Sequence, residues 1–178
     1  KILDWNDRGT CVLFGDGAGA AYLEESDKGI ISVVQGSIGK KGMVLNCESR
    51  RTHNIFTEAG IEHDYLHMDG QEVYKFAVRQ CPKCLLEALE KADMTADDID
   101  YFVLHQANVR IIESVAKRLK APIEKFPMTL GYTGNMSAAS VPVMLDSLVR
   151  DGGLKRGDKV AMSAFGAGLT YGAIVLEW

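Results

Sequence analysis

Apolar residues recur at every third or fourth position in three segments of the chain, the spacing of amphipathic helices. The longest predicted helix is Gln71–Lys91, with Asp69 suited to cap its first turn and Pro82 expected to kink it. Two further helices are predicted over Asn108–Leu119 and from about Ser137 to Val149. Each has one apolar face, so each must pack against another layer of structure.

Short apolar runs bounded by glycine or polar residues lie between these helices and predict strands. Strands that alternate with helices of this length favour a layered α/β domain with a largely parallel sheet. Residues 36–69 show no sustained period and predict a long excursion, which is usually functional. The predicted strands are Cys11–Phe14, Ala20–Leu23, Gly29–Gln35, one near Tyr65–Met68, Tyr101–Leu104, one around Phe126–Leu130, Lys159–Ala164 and Tyr171–Leu176.

One internal similarity bears on the domain organisation. The segment FGDG at residues 14–17 recurs as FGAG at residues 165–168, each after an apolar strand and before another strand that ends in Leu-Glu. Two hairpins of this kind indicate the corresponding ends of two duplicated halves. We therefore predict that residues 1–26 form the last hairpin of a first half, otherwise missing, and that residues 27–178 form the second half.

The composition, 47% hydrophobic and 25% charged, is typical of a soluble globular chain. The apolar runs are far shorter than the roughly 20 residues that span a bilayer, and no export signal is visible. Four cysteines would make a sparse disulfide framework, so reduced thiols and a cytoplasmic location are expected. The formal net charge of −4 gives no general reason to bind nucleic acid.

Two segments place polar side chains where predicted strands run into helices, the edge of an α/β sheet where ligands usually bind. His105 begins the segment HQAN at residues 105–108, and it either presents a ring nitrogen to a substrate or only packs at the strand end. Asn135 belongs to GNMSAAS at residues 134–140, where it either lines a site beside His105 or forms a turn. Ser137 is suited to cap the helix that follows.

The HQAN and GNMSAAS segments resemble two motifs of β-ketoacyl-acyl-carrier-protein synthase III, a family of condensing enzymes in the thiolase superfamily. The resemblance covers nearly the whole chain, from DRGT at residues 7–10 and FGDGAGA at residues 14–20 to FGAGLTYG at residues 165–172. It implies a thiolase-like fold, layered αβαβα in the complete enzyme, of which this chain is essentially the C-terminal half. The paired hairpins agree with the pseudo-twofold duplication of that fold.

The resemblance implies a decarboxylative Claisen condensation of acetyl-coenzyme A, or a short branched acyl-coenzyme A, with malonyl-acyl-carrier protein, which initiates fatty acid synthesis. It also implies a homodimer. From the net charge and the short apolar runs, neither a nucleic acid nor a membrane partner is expected. A cysteine from the first half would be the nucleophile, and this chain lacks it. His105 and Asn135 would donate hydrogen bonds to the thioester oxygen of the enolate formed as carbon dioxide leaves. Coenzyme A is then a substrate carrier, and neither cofactor nor metal is implied.

Further contacts are implied by the same resemblance. The sequence departs from the family pattern at Ala167, where a third glycine is common, and at Met136, where threonine is common. Residues expected to contact acyl-coenzyme A are Arg8, Phe14, Leu66, Met68, Tyr74, Ala107, Asn108 and, through its backbone N–H, Ala167. Residues expected to contact the acyl carrier protein are Gln106, Ala107, Asn108, Val109, Arg110, Lys75, Lys117 and Arg118.

None of the four cysteines matches the expected nucleophile. Cys81 and Cys84 fall on the apolar face of the predicted helix, which favours core packing over metal binding. Cys11 is predicted inside a buried strand, and Cys47 lies in the long excursion without an identifiable base partner.

Two other motifs are weak. His63 and His67 are spaced to converge on a helix, but a strand is favoured there, which makes solvated histidines the better interpretation. The glycines at residues 15, 17 and 19 precede a predicted strand rather than a helix, which disfavours a phosphate-binding loop.

Two functions besides synthase III stay open. The chain would also fit another starter condensing enzyme of the superfamily, of polyketide or quinolone type, that uses the same histidine and asparagine. Alternatively, it is a non-catalytic binding or dimerising fragment. A cysteine in a small-residue helix start upstream of Lys1 would support an enzyme, and its absence from the natural gene would support the fragment.

Overall fold

A mixed four-stranded sheet forms the centre of the computed structural model, which describes residues 2–47, 56 and 65–178. The strand order in this sheet is β1-β6-β5-β4, and a separate two-stranded ladder pairs β2 with β3. In chain order the strands are β1 (Ile30–Ser37), β2 (Leu45–Asn46), β3 (His67–Met68), β4 (Tyr101–Leu104), β5 (Lys159–Gly166) and β6 (Thr170–Glu177).

The predicted helices are confirmed to within three residues at either end. Asp69 caps the first of them, accepting hydrogen bonds from the backbone N–H groups of Gln71 and Glu72 at 3.1 and 3.0 Å, and Pro82 lies inside one continuous helix. The helices are α1 (Gly70–Lys91), α2 (Val109–Leu119), the single turn α3 (Leu130–Thr133) and α4 (Ser140–Arg150), with 3-10 turns at Gly39–Val44, Ala96–Asp98, Ile123–Lys125 and Ser137–Ala139. No helix in the described residues is long and apolar enough to cross a membrane.

Helices cover the sheet on both faces. Successive residues of β4 belong to opposite cores: Phe102 and Leu104 pack with α1 and α2, whereas Val103 packs with α4. Strands β5 and β6 alternate in the same way, as the two-residue period of a strand requires. The expected layered α/β architecture is therefore confirmed.

The prediction of a largely parallel sheet is wrong. Only β4 and β5 pair in parallel, while β5–β6 and β6–β1 are antiparallel. The short glycine-containing turn between β5 and β6 is the reason, because so short a connection can join only antiparallel strands.

The predicted hairpin of Cys11–Phe14 and Ala20–Leu23 is also absent. Residues 11–13 lie in turns, and Cys11 is half-buried rather than inside a strand. Leu23 is 79% exposed. A two-stranded hairpin is marginal without a neighbouring strand or layer, and of these two runs only Phe14 pairs with another segment, through a single parallel bridge to Asn135. The division of the chain at residue 26 thus stays a prediction.

The strand predicted around Phe126–Leu130 does not form either. Its backbone bonds to a side chain instead: Gln106 Nε2 donates to the carbonyl oxygen of Pro127 at 3.4 Å, and Gln106 Oε1 accepts from the N–H of Thr129 at 3.0 Å. The hydrogen bonds that a partner strand would make with these two backbone groups are thus made by the Gln106 side chain. The strand near Tyr65–Met68 is confirmed, reduced to His67–Met68, while His63 lies outside the described residues.

Candidate functional site

A cavity of about 770 Å³ opens where β4 and β5 end. Its wall combines the N-terminal segment, the β2–β3 ladder, the first turns of α1 and α2, the segment before α4 and the β5–β6 turn. Both His105 and Asn135 line it. The structure thus places both side chains at one cavity, although only His105 follows a strand, because the strand predicted before Asn135 does not form. Their catalytic role stays a prediction.

The backbone and ring of His105 are both held. Its N–H donates to the carbonyl oxygen of Ser163 at 2.9 Å, which extends the parallel β4–β5 ladder by one residue. The ring Nδ1 lies 2.7 Å from the hydroxyl oxygen of Ser140, and the Phe165 ring contacts the imidazole edge-on with centroids 5.1 Å apart. These contacts fix the position of the imidazole ring.

Burial lowers the pKa of His105 to about 4. The imidazole is therefore neutral near pH 7 and carries a single N–H. Because Nδ1 faces Ser140, Nε2 is the nitrogen left for the cavity, and it has no hydrogen-bond partner among the described residues. A neutral ring in this position either donates or accepts at Nε2, depending on its tautomer.

Three hydrogen bonds fix the position of Asn135. Its N–H donates to the carbonyl oxygen of Leu13, and its own carbonyl oxygen accepts from the N–H of Gly15, each at 3.0 Å. Its side-chain Oδ1 accepts from the N–H of Ser137 at 2.8 Å, which turns the Nδ2 amide away as a donor. The prediction that Ser137 caps α4 is wrong, because α4 begins only at Ser140. Ser137 instead has a φ of +52° and donates its backbone N–H to Asn135.

The glycine-rich N-terminal segment lies directly against the segment that carries Asn135. A Cβ on Gly15 would lie 2.1 Å from the carbonyl oxygen of Thr133, and one on Gly17 would lie 2.4 Å from Met136 Sδ. At Gly15 only glycine permits this approach, because the atom that a Cβ would meet belongs to the backbone. No helix follows these glycines, which agrees with the argument against a phosphate loop. Sequence reasoning noted the pattern but missed its packing role.

Most residues expected to contact acyl-coenzyme A line the cavity. Arg8 is not part of the wall defined by the described residues, although its neighbour Gly9 is. Ala167 is not among the residues with positive φ, so alanine is compatible with the turn at that position. The lining residues of this set are Phe14, Leu66, Met68, Tyr74, Ala107, Asn108 and Ala167.

One of the contacts expected with the carrier protein is corrected. Gln106 is fully buried, and its amide also donates to the carbonyl oxygen of Leu104 at 2.9 Å, so it cannot touch a partner. Lys75 is exposed but forms an ion pair with Glu72 at 2.9 Å. Hydrogen bonds from Lys41 and Lys75 hold the pKa of Glu72 at about 2. Of the remaining set, Ala107 is half-buried, and Asn108, Val109, Arg110, Lys117 and Arg118 are exposed.

Two of the four cysteines lie in the core and one lines the cavity. Cys81 and Cys84 are buried, and burial raises their pKa values to about 12 and about 11, so both are thiols in the core, as predicted. Cys47 follows β2 and lines the cavity, a placement that the sequence did not indicate. In the described part of the chain, no group of three or more acidic, histidine or cysteine side chains is placed to hold a metal ion.

Solved structures share this architecture. The 3-oxoacyl-(acyl-carrier-protein) synthase III of Aquifex aeolicus VF5 superposes with a TM-score of 0.87 at 38% identity, over 99% of this chain and 54% of that one. The priming β-ketosynthase of the R1128 polyketide pathway gives 0.84 at 37% identity, over 99% and 53%. The chain is therefore part of a thiolase-like α/β fold.

Family comparisons are more specific than the fold. Residues 1–42 match the family described as 3-oxoacyl-(acyl-carrier-protein) synthase III, and residues 89–178 match the description of its C-terminal region. The chain belongs to this family. The β-ketoacyl-(acyl-carrier-protein) synthases III of Synechococcus sp. (strain WH7803) and Clostridium novyi (strain NT) are 48% and 47% identical over the whole chain. The chain spans 54% and 56% of their lengths, about half of each.

Proposed function

We propose that the complete protein containing this chain is a β-ketoacyl-acyl-carrier-protein synthase III that starts type II fatty acid synthesis. It condenses acetyl-coenzyme A or a short branched acyl-coenzyme A with malonyl-acyl-carrier protein. One observation supports this proposal above all. His105 and Asn135 line one cavity, and Nε2 of the first and Nδ2 of the second have no hydrogen-bond partner among the described residues.

Two neutral donors suit the decarboxylation half of this reaction. The bond between the malonyl α-carbon and its carboxylate breaks, and its electron pair moves onto the thioester oxygen as carbon dioxide leaves. Donors fixed around the developing negative charge lower the barrier without having to reorganise. The enolate carbon then attacks the acyl group held on a cysteine, which the segment preceding this chain would supply, and the cysteine leaves as thiolate.

The rest of the wall fits the same substrates. Apolar side chains of Phe14, Leu66 and Met68 offer a surface for a short acyl chain. Arg8, beside the cavity, would contact the coenzyme A nucleotide. The exposed Arg110 at the start of α2 lies close to the cavity-lining Asn108, where a thioester carried by an acidic partner would enter. Action as a cytoplasmic homodimer belongs to the same proposal.

A polyketide-priming synthase is the second candidate. The likeness to the R1128 priming enzyme is nearly as close as that to the Aquifex enzyme, with TM-scores of 0.84 and 0.87. Both candidates require His105 and Asn135 in the same role. Product analysis with acetyl-coenzyme A against longer starters, in the presence of the natural carrier protein, separates them.

Alanine substitution of each donor in the complete protein tests the proposal. His105→Ala and Asn135→Ala should each lower the rate of carbon dioxide release from malonyl-acyl-carrier protein by about 100-fold or more. Transfer of the acyl group from coenzyme A to the protein should change far less, because the nucleophile stays in place. Wild-type rates in both variants would refute the assignment.

A further inference from the structure

Gln106, the residue after His105, is hydrogen-bonded to both ends of the segment that carries Asn135. Its side-chain Oε1 accepts from the backbone N–H of Thr129 at 3.0 Å, and its own backbone N–H donates to Ser140 Oγ at 3.2 Å. Asn135 lies between these two points in the sequence. One residue next to the histidine therefore anchors the segment of the asparagine twice.

The amide of Gln106 is engaged through both its nitrogen and its oxygen, although the side chain is fully buried. Besides the bond from Thr129, Nε2 donates to the carbonyl oxygen of Leu104 at 2.9 Å and to that of Pro127 at 3.4 Å. Leu104 is the last residue of β4, so the amide joins the end of that strand to the segment around Thr129. Among side chains of this length, only glutamine offers two N–H donors together with an acceptor oxygen.

The anchor at Thr129 extends towards Asn135 through one turn of helix. The carbonyl oxygen of Thr129 accepts from the N–H groups of Tyr132 and Thr133 at 3.0 and 3.1 Å, and from the Thr133 hydroxyl at 3.1 Å. These bonds close α3, and Gly134 and Asn135 follow directly. A shift of Thr129 therefore moves the start of the turn that leads into the asparagine.

We propose that Gln106 is a positioning residue that sets the place of Asn135 relative to His105. This inference rests on the proposed function, in which the two side chains must reach one thioester oxygen. Gln106 is not among the described residues that line the cavity, so it touches no substrate and acts only through the asparagine.

A purely structural role of the amide predicts a different outcome. Removal of the amide leaves the N–H of Thr129 and the carbonyl oxygen of Pro127 without these partners, so it lowers stability in either case. A positioning role adds an unequal effect on the two half-reactions. Acyl transfer from coenzyme A depends on the nucleophile, which this chain does not supply, whereas decarboxylation depends on Asn135.

Nitrogen NMR of the complete protein tests the effect on Asn135 directly. With 15N-labelled asparagine and an Asn135→Ala variant to assign the signal, Gln106→Met should shift the side-chain amide signal of Asn135. This substitution keeps the size of the side chain and removes the amide, so the N–H of Thr129 should also exchange with solvent about tenfold faster or more. Gln106→Glu, which keeps an acceptor oxygen and loses at least one donor, provides the same comparison if Gln106→Met does not fold.

Kinetics supply the second measurement. Gln106→Met should slow carbon dioxide release from malonyl-acyl-carrier protein by about tenfold or more, with acyl transfer from coenzyme A little changed. Ile99→Ala is the matched control, since Ile99 is fully buried and precedes β4, at the end of that strand away from the cavity. It should lower stability while both half-reactions keep nearly wild-type rates in the folded protein.

The two readouts separate the two hypotheses. An unchanged Asn135 signal in Gln106→Met, or equal losses in both half-reactions, would overturn the positioning role. If the complete protein shows no condensing activity at all, the proposed function fails, while the Asn135 signal still decides whether Gln106 sets the place of the asparagine.

Discussion

Replacing Gly15 by alanine tests whether the N-terminal segment holds Asn135 in place. The added Cβ would lie 2.1 Å from the carbonyl oxygen of Thr133, where ordinary contact begins at 3.4 Å. Because that oxygen belongs to the backbone, the two segments must separate by about 1 Å or more. The separation stretches both hydrogen bonds that fix Asn135, one to Leu13 and one from Gly15 itself, each 3.0 Å long in the structure.

The magnitude follows from these contacts. Each backbone hydrogen bond contributes about 1 kcal/mol net, and crowding of this kind costs a similar amount, so Gly15→Ala should lower the free energy of unfolding by about 1–3 kcal/mol. Displacing a catalytic group by about 1 Å lowers rates by about 100-fold. Decarboxylation by the complete protein should therefore fall much further than acyl transfer.

Alanine substitutions at two other glycines serve as comparison variants. A Cβ on Gly131 meets nothing within 4 Å, so Gly131→Ala should leave both stability and rate near wild type. A Cβ on Gly17 meets the flexible Met136 side chain at 2.4 Å, so Gly17→Ala should give an intermediate loss. Urea unfolding and the two half-reactions, measured on the complete protein, give the comparison. If Gly15→Ala behaved like Gly131→Ala, the proposed packing role would be refuted.

Three further predictions follow from single groups. Thr129 Oγ1 is a buried polar atom without a hydrogen-bond partner in the described residues, so Thr129→Val should raise the free energy of unfolding by about 1 kcal/mol and the melting temperature by about 2–4 °C in calorimetry. The pKa of His105 falls to about 4 on folding, so its contribution to the free energy of unfolding is present above about pH 6.5 and is lost as the pH drops towards 4. Between pH 7 and pH 5, the free energy of unfolding should therefore decrease more for wild type than for His105→Gln. Arg110→Glu should raise the KM for malonyl-acyl-carrier protein and leave acyl transfer from coenzyme A nearly unchanged. Lys155 precedes β5, at the end of that strand away from the cavity, so the control variant Lys155→Glu should change neither quantity. Equal losses in both half-reactions of Arg110→Glu would indicate a structural role for Arg110.

Elements with a strong local pattern were predictable from the sequence. The apolar period of α1 and its capping Asp69 depend only on neighbours along the chain, and both are confirmed. The placement of His105 was predictable for a related reason, because it follows β4, whose end is marked by a local change from apolar to polar residues. The strand predicted before Asn135 does not form, so the apolar pattern does not account for its position at the same cavity.

The failures have non-local causes. An apolar run such as Cys11–Phe14 becomes a strand only when another strand pairs with it, and the run itself carries no information about that neighbour. The segment around Pro127 and Thr129 bonds to the side chain of Gln106, which lies far away in sequence. No period or propensity along one segment can predict a hydrogen bond from a side chain of another.

The two proposed donors are connected through one short segment. Asn135 supplies one donor directly, and Ser140, five residues later, binds the ring that supplies the other. Ser137 lies between them, with φ at +52°, and bonds to both through its N–H and its carbonyl oxygen. The conformation of residues 135–140 therefore sets the position of the asparagine and of the hydroxyl that contacts the histidine ring. A change that relaxes this segment should weaken both donors at once, which is why its effects would not add to those of either single substitution.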